Sequence, residues 1–151
     1  MTTIIDGVDA FAGLVGKDLG YSEWQPITQE RVNLFADATD DHQWIHVDPD
    51  RAKDGPFGGA IAHGYLTLSL APVLLNRVLI LSNYSSGINY GANKVRFPSP
   101  VPVGAELRMG VTVASAEEVG GGMQVVFDLV FELKDAPKPA CVAQVVYRYF
   151  S

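Results

Sequence analysis

The sequence predicts an α+β fold in which one long apolar helix lies against an antiparallel sheet. Two observations predict it. The most apolar stretch, Ala60 to Leu81, reads as a helix that is apolar nearly all round, as buried helices are. After Ser82 the apolar residues change from a helical period to alternation. Each alternating run has one apolar face, so the sheet needs a cover on one side, and the helix supplies it. The chain of 151 residues is long enough for one domain, spanning 1–151, with a proper core. Apolar residues at 48% against charged residues at 19% make a globular composition.

Taken in order, Asp6 to Leu14 reads as a short helix with Val8, Phe11, Ala12 and Leu14 near one side, ended by Gly16. Leu19 to Ile27 alternates loosely and reads as an edge strand stopped by Pro26. Thr28 can cap the next helix, whose apolar face is Val32, Phe35, Ala36 and Thr39. Asp48-Pro49 pairs a good N-cap with a good first helical residue, so another helix starts at Pro49. Asp54 to Gly59 is a turn-rich loop. The apolar helix follows, interrupted by Pro72 and Arg77, which makes it too short and too broken to span a bilayer. The strands are Ile88 to Phe97, then runs built on Leu107 to Val113, Val125 to Leu133 and Cys141 to Tyr149, with Gly120-Gly121-Gly122 as a turn.

Between the two helix starts lies Asp41-His42-Gln43-Trp44-Ile45-His46. On a continuous helix, Asp41 and His46 would point roughly 140° apart and could not meet on one substrate. If they act together, the segment is an elbow. An Asp and a His on a polar elbow also fit a helix cap and a surface imidazole, so the pair is only a candidate here. A second candidate is Ala62-His63-Gly64, where a buried helix start offers free N–H groups and Gly64 permits close approach of an anionic atom. Gly64 equally suits tight helix packing.

Composition excludes several classes. The net charge of −6 argues against a nucleic-acid footprint. The lone Cys141 cannot form an internal disulfide, no C-x-x-C pair suggests zinc, and its apolar surroundings read as a buried thiol. Met1 to Ala12 lacks the basic region of a signal peptide, which makes the cytoplasm the expected compartment.

Three segments together resemble the MaoC-like, or R-specific, enoyl-CoA hydratase family. Ala38 to His46 is similar to that family's G-D-x-N-P-[LIV]-H pattern, and Ala62-His63-Gly64 to the His-Gly at the start of its central helix. Asn89-Tyr90-Gly91-Ala92-Asn93-Lys94-Val95-Arg96-Phe97-Pro98 resembles its following strand. The likeness runs from about Gly20 to Phe150 and is sharpest to the NodN-like 3-hydroxyacyl-thioester dehydratases. Asp40 stands where the pattern has Gly, and Gln43-Trp44 where it has Asn-Pro; a hydroxyl residue used by some relatives is Pro72 here, with Ser69 a partial substitute.

The resemblance implies a hotdog fold, a sheet wrapped around a long central helix, and a homodimer. It implies reversible hydration of a trans-2-enoyl thioester, carried by CoA or an acyl carrier protein, to the (3R)-3-hydroxyacyl thioester. Asp41 and His46 would hold the water and move its protons, and the Gly64 N–H would bind the thioester oxygen. Gln43 would orient the pair or the carbonyl, with Asn93 behind it. Lys94, Arg96 and Arg77 could meet the phosphates of the carrier, or simply be solvated charges. His42 and His63 read as local hydrogen-bonding residues, and neither a metal nor a redox cofactor is needed. A hotdog thioesterase or a non-catalytic acyl-thioester binder are the competing readings; a thioesterase's usual acid would lie on the central helix, which carries none.

Overall fold

Gly7 sets the first turn of the chain. In the computed structural model, which describes residues 2–151, β1 (Thr3–Asp6) leads into Gly7 at φ 80° and ψ 150°, a region open to glycine. A 3-10 helix, Val8–Leu14, follows and buries Val8 and Phe11. The helix expected from Asp6 is therefore a tighter turn with a strand before it. The single edge strand expected over Leu19–Ile27 is likewise two pieces, β2 (Asp18–Tyr21) and β3 (Gln25–Pro26).

Helical signals are obeyed closely in the next stretch. Thr28 accepts from the Arg31 N–H and starts α1 (Gln29–Thr39), which buries Val32 and Ala36. A short α2 (Trp44–Val47) precedes α3 (Pro49–Ala52), and the Asp48 side chain caps α3 by accepting from the Arg51 N–H at 3.1 Å.

The central helix forms, with two corrections. It is broken into α4 (Gly64–Ser69) and α5 (Ala71–Val78), because Pro72 has no N–H to give the preceding turn and its ring crowds the carbonyl there. It also ends at Val78 rather than Leu81. Leu79 turns extended and opens β4 (Leu79–Ser82), which pairs in parallel with β1, Thr3 against Leu79 through Asp6 against Ser82.

Four longer strands complete the fold: β5 (Ser86–Arg96), β6 (Glu106–Val119), β7 (Gly122–Leu133) and β8 (Cys141–Phe150). They form one antiparallel sheet in the order β2-β6-β7-β8-β5, with β3 also on β6. Alternate residues Met109, Val111, Phe127, Leu129, Phe131 and Ala143 point inward, and Leu66, Leu74, Leu75 and Val78 of the central helix meet them in one core. Each such Leu or Phe contributes about 1.5–3 kcal/mol by leaving water.

The helix is not buried all round as expected. Tyr65 is 71% and Val73 44% exposed, and on β5 Ile88 and Tyr90 are 52% and 58% exposed. β5 is the edge strand beside β8, and an open cleft lined by Leu68 and Pro72 of the helix and by Asn89 and Ala92 of β5 lies between the two elements.

Candidate active site

The elbow predicted around Asp41 begins with a left-handed residue. Asp40 ends α1 at φ 58° and ψ 23°, which turns the chain sharply before Asp41. That conformation suits Gly best and Asp tolerably, so Asp40 can occupy the glycine position of the similar pattern without losing the turn. His42 leaves the elbow outward, with Nε2 2.9 Å from Asp37 Oδ1. Gln43 caps α2 without a side-chain bond, and its N–H lies a long 3.4 Å from Asp41 Oδ1.

One turn later His46 is buried. Its Nδ1 is 2.7 Å from the Ile61 carbonyl, which can only accept, so Nδ1 carries the proton in the neutral ring. Nε2 is left as the basic nitrogen. Two hydrogen bonds hold that geometry: the Ile61 N–H donates to Ile45 O at 3.0 Å, and the Gln29 side-chain Nε2 donates to His46 O at 2.7 Å. Burial holds the His46 pKa below its ordinary value; the Ile61 carbonyl opposes this, His63 adds to it, and Asp41 opposes it again.

His63 completes the cluster. It is 3% exposed, donates from Nε2 to the Asp41 backbone carbonyl at 2.9 Å, and stacks on His46 with ring centroids 3.8 Å apart and planes at 22°. Asp41, His46 and His63 each present a ligand-type atom within 4.8 Å of the others. A single water held by two hydrogen bonds of about 2.8 Å fits between such atoms. His46 Nδ1 and His63 Nε2 are each engaged by a backbone carbonyl, which leaves His46 Nε2 and His63 Nδ1 as the nitrogens with free lone pairs.

His46 and Gly64 line one cavity of about 330 Å³ with Phe57, Ile61, Ala62, Thr67, Phe97, Ser99, Pro100, Val101 and Ala140. Its walls are mostly apolar with a few polar groups, as small-molecule pockets usually are. A Cβ on Gly64 would sit 3.3 Å from the Phe97 ring, so the glycine serves packing as well as access to its N–H. Thr67, buried one turn into α4, was not foreseen as a pocket residue; its i+3 spacing from Gly64 was the available signal. Ser69 instead bonds back to Tyr65 O at 2.6 Å.

The remaining predicted residues lie apart in this chain. Asn93 donates to Gln144 Oε1 at 3.0 Å across the sheet. Lys94 and Arg96 are exposed on β5, and Arg96 donates to Val95 O. Arg77 donates to Gln25 Oε1 at 2.6 Å and lines a separate pocket with Tyr21 and Glu23. No helix among the described residues is long and apolar enough to cross a membrane.

The chain is 49% identical over 145 residues to 3-hydroxyacyl-thioester dehydratase Z of Mycobacterium tuberculosis, covering 95% of this chain and 96% of that one. It is 42% identical over 135 residues to nodulation protein N of Rhizobium meliloti, covering 87% and 84%. The solved (R)-hydratase from A. caviae, involved in PHA biosynthesis, superposes with a TM-score of 0.71 at 24% identity over 88% of this chain and 94% of that one, which speaks for the fold. Its relatives and neighbours are MaoC-like hotdog proteins, and the MaoC like domain profile matches residues 10–130. The chain belongs to the MaoC-like domain family.

Proposed function

We propose that this protein reversibly hydrates a trans-2-enoyl thioester of CoA or an acyl carrier protein to the (3R)-3-hydroxyacyl thioester. The carrying observation is the His46 tautomer: with Nδ1–H committed to Ile61, Nε2 is the free base of a cluster that also contains the Asp41 carboxylate. A water between them loses a proton as its oxygen adds to C3. The proton that ends at C2 is returned by the same pair, so atoms balance with no further reagent. The electron density that collects on the thioester oxygen meets the Gly64 N–H. The names of the relatives, a 3-hydroxyacyl-thioester dehydratase and an (R)-hydratase, support the reaction and its R hand.

Gln43, at the head of α2, is assigned to orienting this pair or the carbonyl. The exposed β5 edge and the outer face of the central helix support a homodimer, because an unpaired edge with Ile88 and Tyr90 on it is a natural pairing surface. In that dimer Asn93, Lys94 and Arg96 would lie at or near the joint, where the two cations suit carrier phosphates; Arg77 is the outlying third. The cytoplasm is the compartment we assign.

Incubation with crotonyl-CoA followed by separation of products tests the reading. 3-Hydroxybutyryl-CoA is the expected product. Free CoA would instead mean a thioesterase, and unchanged substrate with measurable binding would mean a non-catalytic binder. Either result overturns it.

A further inference from the structure

We propose that His63 is a positioning residue that ties together the three working parts of the site. This rests on the hydratase reading above. Its Nε2–H holds the Asp41 carbonyl at 2.9 Å, its ring lies 3.8 Å from that of His46, and its own peptide bond leads to Gly64. Carboxylate loop, imidazole and carbonyl-binding N–H are therefore referred to one side chain.

A space-filling role would not call for histidine here. The site is buried, with Phe35 packed on the ring at 4.9 Å, and an apolar residue would fill it without polar atoms. Histidine leaves Nδ1 buried and without a hydrogen-bond partner among the described residues, which works against stability. What histidine adds is a directional donor to Asp41 on the same flat ring that supports His46. The donor matters because Asp41 follows a left-handed residue and its side chain is half exposed, so little else fixes that turn.

The groups that face His63 are few. From the elbow it meets Asp41, whose Oδ2 is 3.9 Å from Nε2, and from α2 it meets His46. From α1 it meets Phe35, while the acidic Asp37 of that helix is turned to His42. The effect of His63 on protons is thus an effect on His46: a second imidazole stacked at 3.8 Å opposes placing a proton there.

Two substitutions separate the parts. His63→Gln keeps an N–H that reaches toward the Asp41 carbonyl but loses the ring. His63→Phe keeps the ring and loses the donor. With crotonyl-CoA as substrate, His63→Phe is expected to lower kcat by about 10²-fold, the scale of an angstrom-level misplacement, with KM within a few-fold. His63→Gln should recover part of that loss. In both variants the acid limb of kcat/KM should move to higher pH, because His46 protonates more readily without the second imidazole. Ring-nitrogen NMR reads the same change on His46 without turnover, so a chain that fails to hydrate crotonyl-CoA would sink the hydratase reading and still give an answer here. The wild-type spectrum is a check independent of variants: His63 should carry its proton on Nε2. A proton on Nδ1, or folded variants with wild-type kcat, acid limb and His46 titration, would overturn the proposal.

Discussion

The Ile61 carbonyl, 2.7 Å from His46 Nδ1, decides which nitrogen of that ring can act as a base. The functional consequence is measurable. Asp41→Asn keeps shape and His46→Gln keeps an N–H donor, but each removes a group able to exchange a proton, so each should lower kcat by about 10²–10⁴. The double variant should be little worse than either single one, because the proposed mechanism has both groups act on one water. Melting temperatures should barely change. A purely structural cap at Asp41 would reverse the pattern, costing about 1 kcal/mol of stability and leaving turnover intact.

Acidification should act on the same ring. Burial lowers the His46 pKa from 6.5 in the folded state, so above 6.5 the ring is neutral folded and unfolded alike. As pH falls through 6.5 the unfolded chain takes up a proton that folded His46 still refuses, and stability declines until the lowered pKa is reached. Thermal melts across that window should show a steeper decline for wild type than for His46→Gln. The acid limb of kcat/KM should lie below 6.5 for the same reason.

Gly64→Ala should separate stability from activity. Alanine favours a helix by up to about 1 kcal/mol, yet the new Cβ would press the Phe97 ring at 3.3 Å. Phe97 is 42% exposed and can give way, so the melting temperature should stay within a few degrees. The methyl also crowds the atom that would meet the Gly64 N–H. A fall of about 10²–10³ in kcat, as when an oxyanion donor is lost, is expected. An unchanged rate would remove Gly64 from the site.

The exposed β5 edge makes a quantitative forecast for assembly. Wild-type protein should sediment as a dimer at micromolar concentration, and Ile88→Glu, at a position now 52% exposed, should shift it toward monomer. Wild-type protein sedimenting as monomer would remove the homodimer from the reading.

Cys141 should be chemically silent. It is fully buried on β8, and burial pushes its thiol up to about 11, so almost no thiolate is present near neutral pH. Native protein should resist iodoacetamide and denatured protein should react; rapid alkylation of the native fold would contradict the packing of β8.

Much of this was legible because the signals are local. Alternation on Leu107 to Val113 and Val125 to Leu133 marks strands, and Asp48-Pro49 marks a helix start, within a few residues each. The elbow was legible too, since a shared role for Asp41 and His46 demanded one. What escaped depends on contacts remote in sequence. Nothing near Gln29 announces that its amide holds the His46 carbonyl, and nothing near Leu79 announces that Thr3 awaits it. The break at Leu70 was different. Pro72 is visible in the sequence, but a proline in a helical run is compatible with a kink as well as a break, and the packing around Leu70 decides between them.

The pairing of β1 with β4 constrains the order in which the chain can mature. Thr3–Asp6 are made before their partners Leu79–Ser82, which follow only after the Asp41–His46 elbow and the central helix. The amino-terminal strand must therefore wait without its partner until the central helix has been made. Closing so long a loop is slow, which makes that strand a natural late step in folding. Hydrogen exchange should find its amides among the first to open when the native protein loosens.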